Sequence, residues 1–240
     1  ILPIEPEETI NTVMPMPEDE SSWGALNVVF ATASGNIRRN NLSDFTNIKR
    51  NGKIAMKLHD GDDLVGVMPC NETDDVLLAT HDGKAIRFGV DAVRVFRGRN
   101  STGVRGIRLL GNDRVVSMSV ITDDANQFIL SVTENGYGKR TPVDDYRRSG
   151  RGGQGVANIE TSKRNGRVMA SFAVVEDDQL MLVTNMGQVI RIRVHGGEGD
   201  SIRIASRKTQ GVRLFDVADY DNEIVVSAGL VRETDDDAAS

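Results

Sequence analysis

Arginine recurs along this chain at a spacing that could grip phosphate. The pattern Thr-x-x-Gly-x-x-x-Arg occurs four times, ending at Arg39, Arg87, Arg140 and Arg191. Its glycines, Gly35, Gly83, Gly136 and Gly187, lie 48, 53 and 51 residues apart. More bases accompany each copy. Arg38, Lys49 and Arg50 go with the first; Arg94, Arg97, Arg99 and Arg105 go with the second. Lys139, Arg147, Arg148 and Arg151 go with the third; Arg193, Arg203, Arg207 and Lys208 go with the fourth. A cation at the same place in every unit suits a partner that is anionic along its length, and each phosphate contact adds affinity without reading sequence. The stretch Arg147–Gly155, with three arginines among four glycines, is the most specific local feature. Glycine lets backbone approach a phosphate closely and arginine supplies the charge. It is not a Walker loop, because no Gly-Lys-Ser/Thr ending precedes a helix.

Other chemistries find little support. His59, His81 and His195 stand far apart, with no partner at metal-ligand spacing. The aspartate clusters lack the regular spacing of a calcium loop. No nucleophile elbow frames a serine. Cys70, the only cysteine, excludes an internal disulfide and reads as a small filler at a strand end.

The elements that must position these arginines are strands. A period near 50 without helical patterning marks a repeated β-unit of the propeller kind. In the first unit, Val28–Ala33 is an apolar run, Ser34-Gly35 a two-residue turn, and Asn36–Leu42 the returning strand. Alternation places Ile37 inward and Arg38 outward. Gly52–Leu58 and Leu64–Met68 supply a third and a fourth strand, and the later units follow the same plan. A short helical turn is expected at Leu42–Phe45. The repeats are expected at 21–70, 71–121, 122–175 and 176–232, with half a unit in 1–20 and an acidic, disordered tail at 233–240.

Net charge is −6, which argues against nucleic acid until its distribution is read. Residues 1–20 carry six acids and residues 233–240 four, with no base in either. The intervening body holds 25 acids and 29 bases. Acids cluster in turns, such as Asp62 and Asp63, Asp74 and Asp75, and Asp177 and Asp178, while bases cluster on the second strand and the loop after it. Aromatic residues are only 5%, which disfavours base stacking and hence single-stranded nucleic acid. No long apolar run or leader is present, so no membrane span or secretion is expected, and the lone cysteine suits a cytoplasm.

Several stretches carry a family resemblance: Ser101–Leu109, Glu134–Thr141, Thr209–Val212 and the repeat itself. They resemble the C-terminal domain of the DNA gyrase A subunit over nearly the whole chain apart from the acidic tail. The resemblance implies an all-β fold, a β-pinwheel. This is a propeller-like disc of four-stranded antiparallel blades, each taking a strand from its neighbour, with about five blades and the first incomplete. It implies wrapping of double-stranded DNA on a basic rim. It further implies a gyrase A catalytic core and gyrase B as partners in an A2B2 assembly in a bacterial cytoplasm. That assembly supports ATP-dependent negative supercoiling, with ATP and Mg bound elsewhere and no cofactor here. The family's glycine-rich signature box is absent in strict form, Arg147–Gly155 being a degenerate relative, and the chain begins within a repeat, as a fragment of a longer protein would. The related topoisomerase IV domain and a protein-interaction propeller are the alternatives.

Overall fold

A computed structural model describes residues 14, 16–46, 54–98, 100–123, 126–197, 201–217 and 222–231. The half unit expected in 1–20 and the tail at 233–240 lie largely or wholly outside them. The first repeat gives β1 (Asn27–Thr32), β2 (Asn36–Asn41) and β3 (Leu64–Cys70). The second gives β4 (Asp75–Thr80), β5 (Lys84–Gly89), β6 (Val104–Arg105) and β7 (Val115–Ile121). The third gives β8 (Phe128–Thr133), β9 (Tyr137–Pro142), β10 (Val156–Ala157) and β11 (Val168–Val174). The fourth gives β12 (Gln179–Thr184), β13 (Val189–Arg193), β14 (Val212–Arg213) and β15 (Val225–Val231). Short 3-10 turns follow the second strands, including the one expected at Leu42–Phe45.

The fold is all-β and propeller-like, and its strand order carries the main lesson. The sheets run β3-β1-β2-β6, β10-β5-β4-β7, β11-β8-β9-β14 and β13-β12-β15. The third strand of a repeat therefore completes the sheet of the repeat before it. That exchange belongs to the expected pinwheel, but the donated strands are only two residues long. Residues Ile54–Leu58, expected to continue a third strand in the first repeat, form none.

The first strand of each repeat lies between two neighbours. β1 and β4 are buried at every position, which explains their near-continuous apolar runs. The chain divides into two compact units. One comprises Ile1–Thr80, Ala85–Asp123 and Arg147–Val156; the other comprises His81–Lys84, Asp124–Tyr146 and Ala157–Ser240. In the first unit, Val29, Ile37, Leu78, Phe88 and Met118 share one core, and Trp23, Phe30 and Leu42 anchor a second. In the other, Leu130, Val132, Leu182 and Val225 do the same.

The repeat glycines turn the hairpins, through loops one residue longer than expected. Ala31 pairs with Ile37, so Ala33, Ser34 and Gly35 form the bend, and the glycine alone is left-handed. Gly83 shows why the position is restrictive. Its φ is 86°, and a Cβ there would run into the Ile159 carbonyl oxygen, where the chain continues from the donated strand. Its own carbonyl accepts the Asn158 N–H at 2.8 Å. Gly187, in the sheet with three strands, has φ 85° and nothing within 4 Å of its added Cβ. Gly187→Ala is expected to cost roughly 1–2 kcal/mol, from backbone strain alone. Gly83→Ala is expected to lose roughly 1–3 kcal/mol more, because the donated segment must also move. Urea unfolding of both variants checks this; equal losses would contradict the second role.

Candidate nucleic-acid interface

The repeat arginines do not face solvent as expected. Arg39 and Arg140 are each 3% exposed, and Arg38 and Lys139 are fully buried. Burying a guanidinium is costly unless its donors and charge find partners, and here the following repeat supplies several of them. Arg39 donates from Nη1 to the carbonyls of Val90 (3.2 Å) and Val93 (3.3 Å), and Nη2 lies 3.1 Å from Glu72. Arg140 donates from Nε to the Ile202 carbonyl at 2.7 Å, with Glu176 at 3.7 Å. Arg87 is half-buried and donates to Asp75 at 2.7 Å. Beside each, a loop of the next repeat runs parallel for one residue pair: Arg39 with Val95, Arg87 with Arg148, Arg140 with Ile204. The backbone seals the join. Phe96 N–H donates to the Arg39 carbonyl at 2.8 Å, Ser149 N–H to that of Arg87 at 2.9 Å, and Ala205 N–H to that of Arg140 at 2.8 Å. Arg39 and Arg140 are thus staples for the incoming loop, while at Arg87 the loop is held through the backbone and through Arg148, which shares Asp75.

Arg38 and Lys139 reinforce the same join. Arg38 reaches the Ser101 carbonyl at 2.7 Å and stacks 4.8 Å from the centre of Phe96, which Arg94 covers at 4.3 Å. Lys139 donates to Thr141 Oγ1 at 2.6 Å, and that hydroxyl donates to the Ala205 carbonyl at 2.8 Å. The expectation that Arg38 points outward fails because β2 is covered on both faces. Arg191 differs from its counterparts: it is exposed and bonded to Gln179 within its own hairpin.

The loops held this way carry the accessible cations. Arg97, Arg105, Arg147, Arg148, Arg151, Arg191, Arg193 and Lys208 are exposed, and Arg207 is half-buried with Nη1 on the Ala157 carbonyl at 2.9 Å. Lys49, Arg50 and Arg99 lie outside the described residues. In the first unit the glycine-rich stretch stitches two neighbours together. Gly152 N–H donates to the Gly106 carbonyl, Arg108 N–H donates to the Gly153 carbonyl, and Arg151 reaches the carbonyls of Ala92 and Arg105. That brings Arg105, Arg108 and Arg151 into one basic patch. Arg148 belongs partly to the scaffold, paired with Asp75 at 2.9 Å and Asp91 at 3.0 Å. Several aspartates, in turn, cap bends: Asp62 accepts from Ser34, Asp74 from Asn71 N–H, and Asp178 from Val175 N–H.

Exposed Lys84, Arg108, Arg164 and Arg213 escaped the sequence reading. A signal for Arg213 was available, since it occupies the same place in Gly211-Val-Arg213 as Arg105 does in Gly103-Val-Arg105. Arg164 and Arg213 flank Tyr137, donating to its hydroxyl at 3.4 and 3.3 Å and holding that phenol below its ordinary pKa. Catalytic features stay sparse among the described residues. No three His, Cys, Asp or Glu side chains converge on a point, and burial pushes the Cys70 thiol up to about 12.

Two outcomes follow from burial. Arg140→Ala orphans the Ile202 carbonyl and leaves Glu176 without its partner, and is expected to cost roughly 2–4 kcal/mol, whereas Arg191→Ala should stay within about 0.5 kcal/mol. Chemical denaturation distinguishes them, and equal effects would contradict the staple. Burial, with Arg207 nearby, pulls the Lys139 amine down to about 8. The folded chain therefore sheds this proton before the unfolded chain does. Stability relative to Lys139→Met should rise as pH climbs from about 8 to about 10. A flat difference over that window would show that the amine is solvated.

Comparison with known proteins agrees with this geometry. The sequence pattern of the family described as DNA gyrase C-terminal domain, beta-propeller, matches residues 26–71, 74–122, 127–174 and 178–232. The DNA gyrase A protein of Rickettsia bellii (strain RML369-C) is 39% identical, over 99% of this chain and 30% of that protein. Its counterpart from Granulibacter bethesdensis (strain ATCC BAA-1260 / CGDNIH1) is 41% identical, over 98% and 31%. The chain thus spans about a third of the length of these curated relatives. Among solved structures, the C-terminal domain of DNA topoisomerase IV superposes with TM-score 0.83 at 24% identity, over 96% of this chain and 68% of that one. The DNA gyrase A C-terminal domain does so with TM-score 0.74 at 27% identity, over 86% and 66%. With all four repeats matched, this chain belongs to the DNA gyrase C-terminal domain family of β-propellers.

Proposed function

We propose that this chain binds, bends and wraps duplex DNA without regard to sequence. In a gyrase it would present the wrapped segment to the strand-passage core, so that ATP-driven passage introduces negative supercoils. Its partners would be double-stranded DNA, a gyrase A catalytic core and gyrase B, in a bacterial cytoplasm beside the nucleoid. ATP hydrolysis and Mg binding are assigned to those other parts. The family and the gyrase A relatives support this reading.

The observation that carries it is the sorting of cations by the staple. Buried Arg39 and Arg140 hold two incoming loops, the Arg148–Asp75 bridge beside Arg87 holds a third, and those loops expose Arg94 and Arg97, Arg147 and Arg151, and Arg203 and Lys208. Cations on rigid loops can meet phosphates with little loss of side-chain and backbone freedom on binding. About two phosphates per loop predict a log–log salt slope near −5. Bending a few tens of base pairs costs on the order of 1–10 kcal/mol, which such contacts must offset.

The test is charge reversal at exposed positions that do not staple. Arg97→Glu, Arg105→Glu, Arg147→Glu and Lys208→Glu together should weaken duplex binding at least about a hundredfold while leaving circular dichroism unchanged. Unmodified protein should bind duplexes with a length threshold, as wrapping requires. Unchanged affinity in the quadruple variant would overturn the proposal.

A further inference from the structure

Each incoming loop encloses a recess at the same place in its repeat. The first, about 560 Å³, is lined by Arg94, Phe96, Arg97, Gly98 and Ser101. The second, about 370 Å³, lies between Arg87 and the loop residues Arg147, Ser149, Gly150 and Gly153. The third, about 380 Å³, is lined by Arg203, Ser206, Thr209 and Gly211. The first two belong to one compact unit and the third to the other.

The residues differ, yet the chemistry repeats. Each recess has an exposed arginine in Arg97, Arg147 or Arg203, a hydroxyl in Ser101, Ser149 or Thr209, and glycine in its wall. Each is built rather than incidental. Arg38, 0% exposed, donates to the Ser101 carbonyl at 2.7 Å and to its hydroxyl at 2.8 Å. The Arg87 carbonyl accepts the Ser149 N–H at 2.9 Å, and the Arg140 carbonyl accepts the Ala205 N–H at 2.8 Å. Arg38 stands behind the first recess and Arg87 lines the second, while Arg97, Arg147 and Arg203 line the three in turn. The Ser149 and Thr209 hydroxyls already donate to backbone carbonyls, so what the three recesses share is an exposed arginine in a concave wall that glycine opens to close approach, a setting that suits a compact anion.

We propose that each recess seats one backbone phosphate of a duplex, so that DNA is gripped at discrete points, one per incoming loop. This rests on the duplex-binding reading above and deepens it. A uniform cationic strip would need no glycine wall; a seat does.

The test fills recesses without touching charge. A Cβ added at Gly98 or Gly150 meets nothing within 4 Å, and neither glycine is left-handed, so Gly98→Leu and Gly150→Leu should be tolerated. Should Gly150→Leu fail to fold, Gly153→Leu fills the same recess, its Cβ resting 3.7 Å from Ile86. The full chain is titrated with random-sequence duplex across a salt series, alongside phosphate-ethylation interference. The salt slope should flatten by about 0.9 for each filled recess, and one set of interfering phosphates should vanish with each. Intact binding with unchanged slope and interference pattern would overturn the seats alone. Absence of duplex binding by the unmodified chain would overturn the duplex-binding reading and the seats with it.

Discussion

A buried guanidinium beside a borrowed loop is the constraint from which the rest follows. Arginine cannot give up its proton in a protein interior, so each one taken out of water must find carbonyls or carboxylates. Arg39 and Arg140 find them on the following repeat. The join is therefore charged and directional. It adds to the two-residue donated strand, which alone could fix little: Val104–Arg105 contributes only two register pairs to its host sheet. Donated strand, parallel bridge and staple together make one repeat's hairpin the foundation of the next repeat's loop.

The same constraint explains how a chain of net negative charge can offer a positive surface. Acids are drawn into structure: Asp75 takes both Arg87 and Arg148, and Asp62, Asp74 and Asp178 close bends. Some bases are drawn in as well, at the staples. Several of the bases left at the surface, among them Arg97, Arg147 and Arg203, sit on the loops so held. Positioning and binding are thus divided between neighbouring arginines: Arg39 fixes a loop whose Arg97 is free to reach outward, and Arg140 fixes one that carries Arg203 and Lys208.

Much of the fold was legible because it is local. Apolar runs such as Val76–Thr80 announce strands buried on both sides, and left-handed glycines announce the hairpins. The donated strands were legible as motifs, Gly-Val-Arg or Gly-Val-Ala, but not by their host, since nothing local in Val104–Arg105 says that its partner is Asn36–Ile37. The candidate site was misjudged in its geometry. Period-two alternation assumes that one face of a strand meets water. On β2 no face does, so Ile37, Arg38, Arg39 and Asn40 are all buried. Repetition at fixed spacing drew attention to Arg39, Arg87 and Arg140, yet repetition is equally the signature of a structural joint. Arg191, whose hairpin receives no fourth strand among the described residues, is exposed.

The most direct measurement replaces a staple without changing charge. In Arg39→Lys the cation remains, but the fork that sets Nη1 on the Val90 and Val93 carbonyls and Nη2 on Glu72 at once is lost. Amide hydrogen exchange of Phe96 and its loop neighbours is followed beside duplex affinity in the same protein. The expected result is faster exchange confined to that loop together with weaker binding, at identical net charge. Unchanged protection and unchanged affinity would mean that the arginine neither holds the loop nor, through it, supports binding.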